Sequence, residues 1–451
     1  MRHPAEVDVV VIGLGPGGEA LATELGRAGL DVIAVDRRLV GGECPYYGCI
    51  PTKMMVRAAD LLAEARRIDG RAGSSSVTPA WSDVARRISD EATAAWDDTA
   101  AVERLESAGV RFVRGEGRLA GRRTVEVEGT TYTARRGVVL NTGTEPSAPP
   151  IDGLAQTPYW TNRDAVRVER LPESLIVLGG GAIGAEIGQA FSRFGVRVTV
   201  VENAPRILAV EEPEAGDLVG QVFTREGIEV LTSADTKRVS YDGGRFALEV
   251  DGTTIHAERL LVATGRRANL SALGLESVGL DPSARMLEVD EHLRAAEGLW
   301  AIGDITGKGA FTHVSMYQAR IAARDIRRAD GPGADYRAVP RVTFTDPEVG
   351  SVGLTARQAV EQGITVRTAT TDLAASTRGW IHGAEGLVKL VEDADRGILV
   401  GGTAVGPAGG EMLSMLTTAV HAEVPTGTLR SMIYAYPTFH RAVESALDVL
   451  R

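Results

Sequence analysis

Cysteine is nearly missing from this chain: two residues in 451, Cys44 and Cys49, both within Gly41-Gly42-Glu43-Cys44-Pro45-Tyr46-Tyr47-Gly48-Cys49. A structural disulfide is out of place in a reducing cytoplasm, where a close pair of cysteines serves catalysis or metal binding. Zinc wants four ligands, and no histidine or second cysteine pair stands nearby, so no metal site is expected and redox chemistry is the reading. Also missing is any run approaching the ~20 apolar residues of a membrane span. No basic segment, apolar core and cleavage site precede the first strand at Val9 to Ile12, so the expected compartment is the cytoplasm. Basic charge is short as well. A formal charge of −11 and a pI near 5.3 argue against a nucleic-acid partner, which needs clustered Lys and Arg. Arg66-Arg67 and Arg86-Arg87 sit among acids and read as solvated helix faces.

Glycine, by contrast, is abundant at 53 residues, with no collagen-like period, which points to tight turns and close approaches of backbone to ligands. The length calls for two or three domains. Val9 to Ile12 runs into Gly13-Leu14-Gly15-Pro16-Gly17-Gly18, then a helical stretch to Ala28 and a second strand, Val32 to Val35, ending at Asp36. Strand, G-x-G-x-x-G turn, helix and a following acid make up a dinucleotide-binding fingerprint. Gly13 permits the turn, Gly15 lets backbone approach a pyrophosphate, and Gly18 lets helix pack on strand; the phosphates then meet the positive end of the helix, and Asp36 takes ribose hydroxyls. A second copy follows: Leu175 to Leu178, Gly179-Gly180-Gly181-Ala182-Ile183-Gly184, a helix to Phe194, then Val196 to Val201 and Glu202. Two such units predict two dinucleotides on one chain.

Three shorter segments read as buried strands that leave a sheet beside a ligand: Val138 to Gly143, Leu260 to Arg266 and Leu299 to Asp304. From about Pro340 the pattern becomes β-rich, with helices expected at Glu411 to His421 and His440 to Leu450. The cysteines are five residues apart, ~7.5 Å along a regular helix. A disulfide wants Cα atoms within ~7 Å, so the turn between them must be distorted, and Pro45 and Gly48 suit that. Pro51 then opens a helix expected over Thr52 to Arg67. Cys49 stands at its positive end with Lys53 one turn inside, and both features stabilise a thiolate.

With these residues in view, the chain resembles the pyridine nucleotide-disulfide oxidoreductases, the group that contains dihydrolipoamide dehydrogenase, glutathione reductase and mercuric reductase. The resemblance spans nearly the whole chain and rests on GLGPGG at 13 to 18, GGECPYYGCIPTK at 41 to 53, GGGAIGAE at 179 to 186, ATGR at 263 to 266, AIGD at 301 to 304 and FTDPEVGSVGLT at 344 to 355. It implies an α/β fold with two Rossmann-like domains, for FAD at 1–150 and 271–335 and for NAD(P)H at 151–270, plus an α+β dimerisation domain at 340–451, in a homodimer. FAD would lie on Gly13, Gly15, Gly18, Asp36, Gly42, Lys53, Thr142, Gly143 and Asp304; NADH or NADPH would lie on Gly179, Gly181, Gly184, Glu202 and Gly265. Cys49 would be the flavin-proximal thiol and Cys44 the interchange thiol that meets the substrate. Lys53 and Glu186 match a family ion pair beside the flavin.

The chain also departs from the family. Glu43 replaces a common Thr, Asn141 replaces an Ala, and Tyr436 and Arg441 stand where the family has its acid/base His and its Glu. Mercuric reductases resemble this chain in carrying a Tyr there, but they usually add a second cysteine pair that this chain lacks. The expected function is an FAD-dependent NAD(P)H oxidoreductase, passing electrons through Cys44 and Cys49 to a small-molecule disulfide or oxidising a dithiol in reverse. A flavin-based reductase of quinones, metal ions or other acceptors, with accessory thiols, is the alternative. A redox-inactive assembly subunit is the third reading. Glu202 favours NADH, with Arg206 as a possible anchor for a 2′-phosphate. Tyr436 is the expected proton donor, because an ordinary Tyr titrates near ~10 and is a poor base at neutral pH. His440, four residues along an expected helix, should point elsewhere.

Overall fold

Alternating glycine turns and short Val/Ile-rich runs fold as parallel sheets edged by helices. The computed structural model describes residues 5–450, which divide into two compact units, one of residues 1–51, 86–147 and 266–336 and the other of 52–85, 148–265 and 337–451.

In the first unit the central sheet runs Arg294–Ala296, Leu299–Ala301, Thr130–Leu140, Ala5–Ile12, Val32–Asp36, Val110–Arg114, parallel apart from its first strand. The stretches 9–12, 32–35, 138–140 and 299–301 are buried on both faces, as central parallel strands are, so they read as unbroken apolar runs instead of alternating. Val9, Val11 and Ala34 pack on one side with Leu21, Leu25 and Ala322 of helices Pro16–Arg27 and Thr312–Ile326; Val10, Ile12 and Val35 face the other side.

The second unit repeats the theme with a four-stranded parallel sheet, Glu229–Leu231, Arg197–Val201, Ser174–Leu178, Arg259–Val262, and helices Ala182–Arg193 and Pro213–Arg225. Its C-terminal part is a five-stranded antiparallel sheet in the order Pro340–Thr343, Glu348–Gly353, Ile398–Gly406, Leu387–Asp393, Val366–Asp372. Helices Gly409–His421 and Arg441–Val449 share its core through Met412, Leu416, Val443 and Leu447.

Three helix starts differ from expectation, one of them by the two residues that separate Gly409 from the expected Glu411. The helix expected from Thr52 runs Cys49–Arg66, because Pro51 falls in the first turn, where a missing N–H costs nothing. The cysteine is thus itself the first helical residue. The helix expected from His440 runs Arg441–Val449, with His440 as its N-cap. Residues 436–440 form turns, in which the Thr438 hydroxyl donates to the Ala435 carbonyl at 2.8 Å, so a helical spacing of Tyr436 and His440 does not apply.

Candidate active site

The first glycine fingerprint is forced by contact. Gly13 has φ +93°, and a Cβ built on it would lie 2.4 Å from the Asn141 carbonyl oxygen; one on Gly18 would lie 2.1 Å from the Gly13 carbonyl oxygen. Gly42, with φ +66°, comes so near the fingerprint that its Cβ would lie 2.9 Å from the Gly15 Cα. Helix Pro16–Arg27 starts after Gly15, which carries no capping side chain and so leaves the positive end of the helix open to a ligand. Asp36 closes the motif: its carboxylate accepts from the Leu14 and Arg38 N–H groups, each at 2.7 Å. Burial pushes this carboxyl above its ordinary value, and the two N–H groups oppose the push.

Asn141 sits between the fingerprint and the Gly303 turn. With its amide oxygen accepting from the Gly18 N–H at 2.9 Å, its nitrogen donates to the Ile302 carbonyl and the Ser315 hydroxyl at 3.2 Å. An alanine there makes none of these bonds. The turn goes on through Thr142 and Gly143, the latter at φ +65°. Next to it runs a polar chain: Arg266 Nε donates to Thr144 Oγ1 at 2.9 Å, and that hydroxyl donates to Asp304 Oδ2 at 2.8 Å. Burial pushes the Asp304 carboxyl above its ordinary value; Thr144 and Arg266 oppose it, and Glu43 adds to it. Arg266 Nη2 also lies 3.6 Å from Glu43 Oε2, which ties the residue before Cys44 to this chain.

The cysteine segment has two short-range features. Cys44 lies in the one-turn helix Glu43–Tyr46, half-buried, and Cys49 opens the long helix, exposed. A Cβ on Gly48 would lie 3.2 Å from the Glu43 carbonyl oxygen and 3.8 Å from the Cys44 Cα, so the break between the helices passes close against the backbone of the first cysteine. Cys49 Sγ is 3.6 Å from the hydroxyl of Thr312, the first residue of helix Thr312–Ile326.

In the second unit Lys53 Nζ lies 2.6 Å from Glu186 Oε2. The other oxygen of Glu186, a residue 4% exposed, accepts from the Phe344 N–H at 2.9 Å, and the Lys53 ammonium stands 4.6 Å from the centre of the Phe344 ring. The second fingerprint reproduces the first. Gly179 has φ +107° with a Cβ position 2.6 Å from the Ala263 carbonyl oxygen, and one on Gly184 would lie 2.1 Å from the Gly179 carbonyl oxygen. Gly181 precedes helix Ala182–Arg193 with no side-chain cap. Glu202 accepts from the Gly180 and Ala204 N–H groups, each at 2.7 Å. Gly265, at φ +125°, ends the neighbouring strand segment.

Comparison with known proteins decides the family. Residues 7–319 match the profile described as "Pyridine nucleotide-disulphide oxidoreductase", and residues 339–447 match its dimerisation domain. The chain belongs to the pyridine nucleotide-disulphide oxidoreductases. It is 34% identical to the dihydrolipoyl dehydrogenase of Thermus scotoductus, over 98% of this chain and 97% of that one. It is 33% identical to the mercuric reductase of Streptomyces lividans, over 97% and 95%. Among solved structures, LpdA from Mycobacterium tuberculosis superposes with a TM-score of 0.87 at 26% identity, covering 99% of this chain and all of that one. The HOCl-induced flavoprotein disulfide reductase RclA from Escherichia coli gives 0.86 at 25%, covering 98% and 100%.

As a member of this family the chain is an FAD- and NAD(P)H-dependent disulfide oxidoreductase, with the family's two dinucleotide-binding domains and its C-terminal dimerisation domain, which supports a homodimer. The uncapped helix starts and the close glycine contacts at both fingerprints fit dinucleotide phosphates. No helix among the described residues is long and apolar enough to cross a membrane, and no group of three His, Cys, Asp or Glu among them is placed to hold a metal.

Tyr436 is 68% exposed, with its hydroxyl 3.3 Å from Thr377 Oγ1; the Arg441 guanidinium lies 5.7 Å from the centre of its ring and pairs with Glu444. Arg206 turns toward helix Pro213–Arg225: its Nε is 3.4 Å from Asp217 Oδ1, and a Cβ on Gly216 would meet its Cδ at 3.0 Å. Sequence reasoning passed over Thr312, Thr144 and the role of Arg266. No local motif marks Thr312 or Thr144, and the ATGR segment at 263 to 266 does not disclose what Arg266 holds, since each acts through a partner more than a hundred residues away.

Proposed function

We propose that this enzyme reduces a small-molecule disulfide, taking electrons from NADH in preference to NADPH and passing them through Cys49 and Cys44. The observation that carries this reading is the cysteine segment itself, in which the Gly48 backbone lies against Glu43 and Cys44 and Cys49 follows at a helix N-terminus, within the unit that holds Gly13, Asp36 and Asp304. When bound, FAD relays two electrons from the nicotinamide to the thiol pair. Asp36, Asn141, Thr144 and Asp304 shape its cradle. Lys53, held by Glu186, presents a cation for the flavin ring. Glu202 takes the ribose hydroxyls of NADH.

In the thiol half of the cycle the Cys44 thiolate attacks one sulfur of the substrate, breaking its S–S bond and forming a mixed disulfide. The departing thiolate takes a proton from Tyr436, supplied by the second copy in the homodimer. Cys49 then attacks the Cys44 sulfur, releasing the second thiol and closing the Cys44–Cys49 bond. The sum consumes one NADH, one proton and one disulfide and yields NAD+ and two thiols.

The test is anaerobic addition of two electrons as NADH. A long-wavelength thiolate-to-flavin band is expected, lost in Cys49→Ser and present without reductant in Cys44→Ser. The opposite pattern in the two variants overturns the thiol assignment. Quinone or metal-ion reduction that is fast, and as fast in Cys44→Ser as in the parent, makes the alternative reading the right one.

A further inference from the structure

Three consecutive residues with no glycine among them, Ala94, Ala95 and Trp96, hold φ of +48°, +58° and +59°. Residues that carry a Cβ visit this left-handed region singly, and a run of them persists where the surroundings over-determine it. Here a π-helical turn, Ile88–Ala92, leads in; the buried Thr93 hydroxyl donates to the Ile88 and Ser89 carbonyls, each at 3.0 Å, and the Ala95 N–H donates to the Ser89 carbonyl at 2.7 Å.

The turn so fixed grips both ends of the segment that carries Cys44. The Trp96 indole N–H donates to the Tyr46 carbonyl at 3.3 Å, and the Tyr46 hydroxyl donates to the Asp97 carbonyl at 3.4 Å. Tyr46 is buried and is the last residue of helix Glu43–Tyr46. At the other end the Asp98 carboxylate accepts from the Val40 N–H at 2.7 Å. Asp98 stands at the N-cap of helix Thr99–Ser107, where an aspartate ordinarily accepts from its own helix. Its side chain makes no such bond, and Asp97 takes the Thr99 N–H at 2.6 Å instead. Between Val40 and the cysteine helix lie Gly41 and Gly42, both at positive φ and the least restrained residue type, so an anchor at Val40 limits how far the helix can swing.

We infer that Trp96 and Asp98 are positioning residues for Cys44: the left-handed turn braces residues 40–46 and keeps the interchange thiol in place to close on Cys49. The inference rests on the proposed use of Cys44 and Cys49 as a redox pair. A partner held in place has a higher effective concentration, which favours the closed bond and keeps the potential of the couple low.

The test equilibrates holoenzyme with buffers of reduced and oxidised dithiothreitol, in which closing the Cys44–Cys49 bond passes two electrons and two protons to oxidised dithiothreitol. Free thiols are trapped with a maleimide and counted by intact mass. Trp96→Phe keeps an aromatic ring and removes the N–H, and Asp98→Ala removes the acceptor for Val40. Asp98→Asn keeps an oxygen for Val40 and removes the charge that pairs with Arg114. Trp96→Phe and Asp98→Ala should each lower the equilibrium constant for closing the bond about tenfold, a rise of about 30 mV in midpoint potential. Asp98→Asn should match the parent, with FAD content equal in all four. The two loosening variants act on opposite ends of the segment, so either one serves where the other does not fold. An unchanged potential in Trp96→Phe or Asp98→Ala, or a rise as large in Asp98→Asn, overturns the inference and leaves the thiol pair standing. A parent whose cysteines stay reduced across the whole range removes the redox pair and this inference with it.

Discussion

Asp36 and Glu202 end equivalent strands and spend their carboxylates the same way. Each accepts one N–H from the residue after the first fingerprint glycine, Leu14 or Gly180, and one from the residue two positions beyond itself, Arg38 or Ala204, all four at 2.7 Å. The acid thus clamps the turn that receives the phosphates before any ligand binds. Each oxygen keeps a second lone pair for a ribose hydroxyl.

For the second dinucleotide the proposed reading predicts a coenzyme preference. A 2′-phosphate beside Glu202 meets like charge, and Arg206, the nearest candidate to neutralise it, is turned onto Asp217. The enzyme should therefore show a higher kcat/KM with NADH than with NADPH. Glu202→Ala should shift that ratio toward NADPH by at least about tenfold, since it removes a charged acceptor and the repulsion together. Comparable or better kcat/KM with NADPH in the parent enzyme would show that Arg206 does bind the phosphate.

Both fingerprints were legible in the sequence because they are local. Gly13 and Gly18, like Gly179 and Gly184, are required by contacts within the turn and with one neighbouring strand, so the glycine spacing carries the geometry. The Lys53–Glu186 pair spans 133 residues and was legible only through family resemblance; nothing in the spacing of the two points to it. The contact of Cys49 with Thr312 spans 263 residues and has no motif at its Thr312 end. Asn141 was visible as a departure from the family, but its purpose depends on Gly18, Ile302 and Ser315 arriving around it, which only packing determines. The early start of helix Cys49–Arg66 was missed because Pro51 was read as the opening of the helix when it is the third residue in it.

Lys53→Met tests the ion pair. Methionine fills the space but leaves the buried Glu186 carboxylate with the Phe344 N–H, which donates to it at 2.9 Å. Splitting a fully buried pair costs about 3–5 kcal/mol; Lys53 keeps 35% of its side chain exposed, so a loss of about 1–3 kcal/mol is expected. Thermal or urea unfolding of the holoenzyme measures it. Flavin reduction by NADH should slow in the same variant, whereas unaltered reduction kinetics would assign the pair to structure alone.

A second group of charges predicts a pH dependence. Arg193, 3% exposed, divides its guanidinium among Asp60, Glu226 and Asp346 at 2.7, 2.6 and 2.8 Å. Burial pushes the Asp60 carboxyl up to about 6, with Arg193 opposing and Asp346 reinforcing. The folded state therefore holds this proton more tightly than the unfolded chain. Its stabilising effect is complete below the ordinary value of 3.8 and is lost as pH rises through about 6. Asp60→Asn keeps an acceptor for Arg193 and removes the titration. Its stability relative to the parent should rise between pH 4 and 7, by at most about 3 kcal/mol, and stay level above that. Chemical unfolding at several pH values reads the difference directly, and a gap that shrinks over this range contradicts the placement of Asp60.

Tyr436 makes the reaction directional. In the proposed cycle it meets a leaving thiolate and supplies a proton, which a neutral phenol does readily. The reverse reaction asks the same group to take a proton from a dithiol, and a phenol hydroxyl, unlike an imidazole, has no free basic nitrogen to receive it. Disulfide reduction should thus proceed while dihydrolipoamide oxidation is very slow, despite 34% identity to a dihydrolipoyl dehydrogenase. Tyr436→Phe removes the proton donor and little else, since the hydroxyl's contact in the chain is one 3.3 Å bond to Thr377 at an exposed site. It should lower kcat for acceptor reduction by about 10²-fold, the lower range for a general acid, while flavin reduction by NADH is unaffected. His440 is the N-cap residue of helix Arg441–Val449, and His440→Ala should leave both half-reactions close to the parent. Stopped-flow separation of the two halves decides the matter. Brisk dihydrolipoamide oxidation by the parent, or full acceptor reduction by Tyr436→Phe, would mean that another group handles the proton.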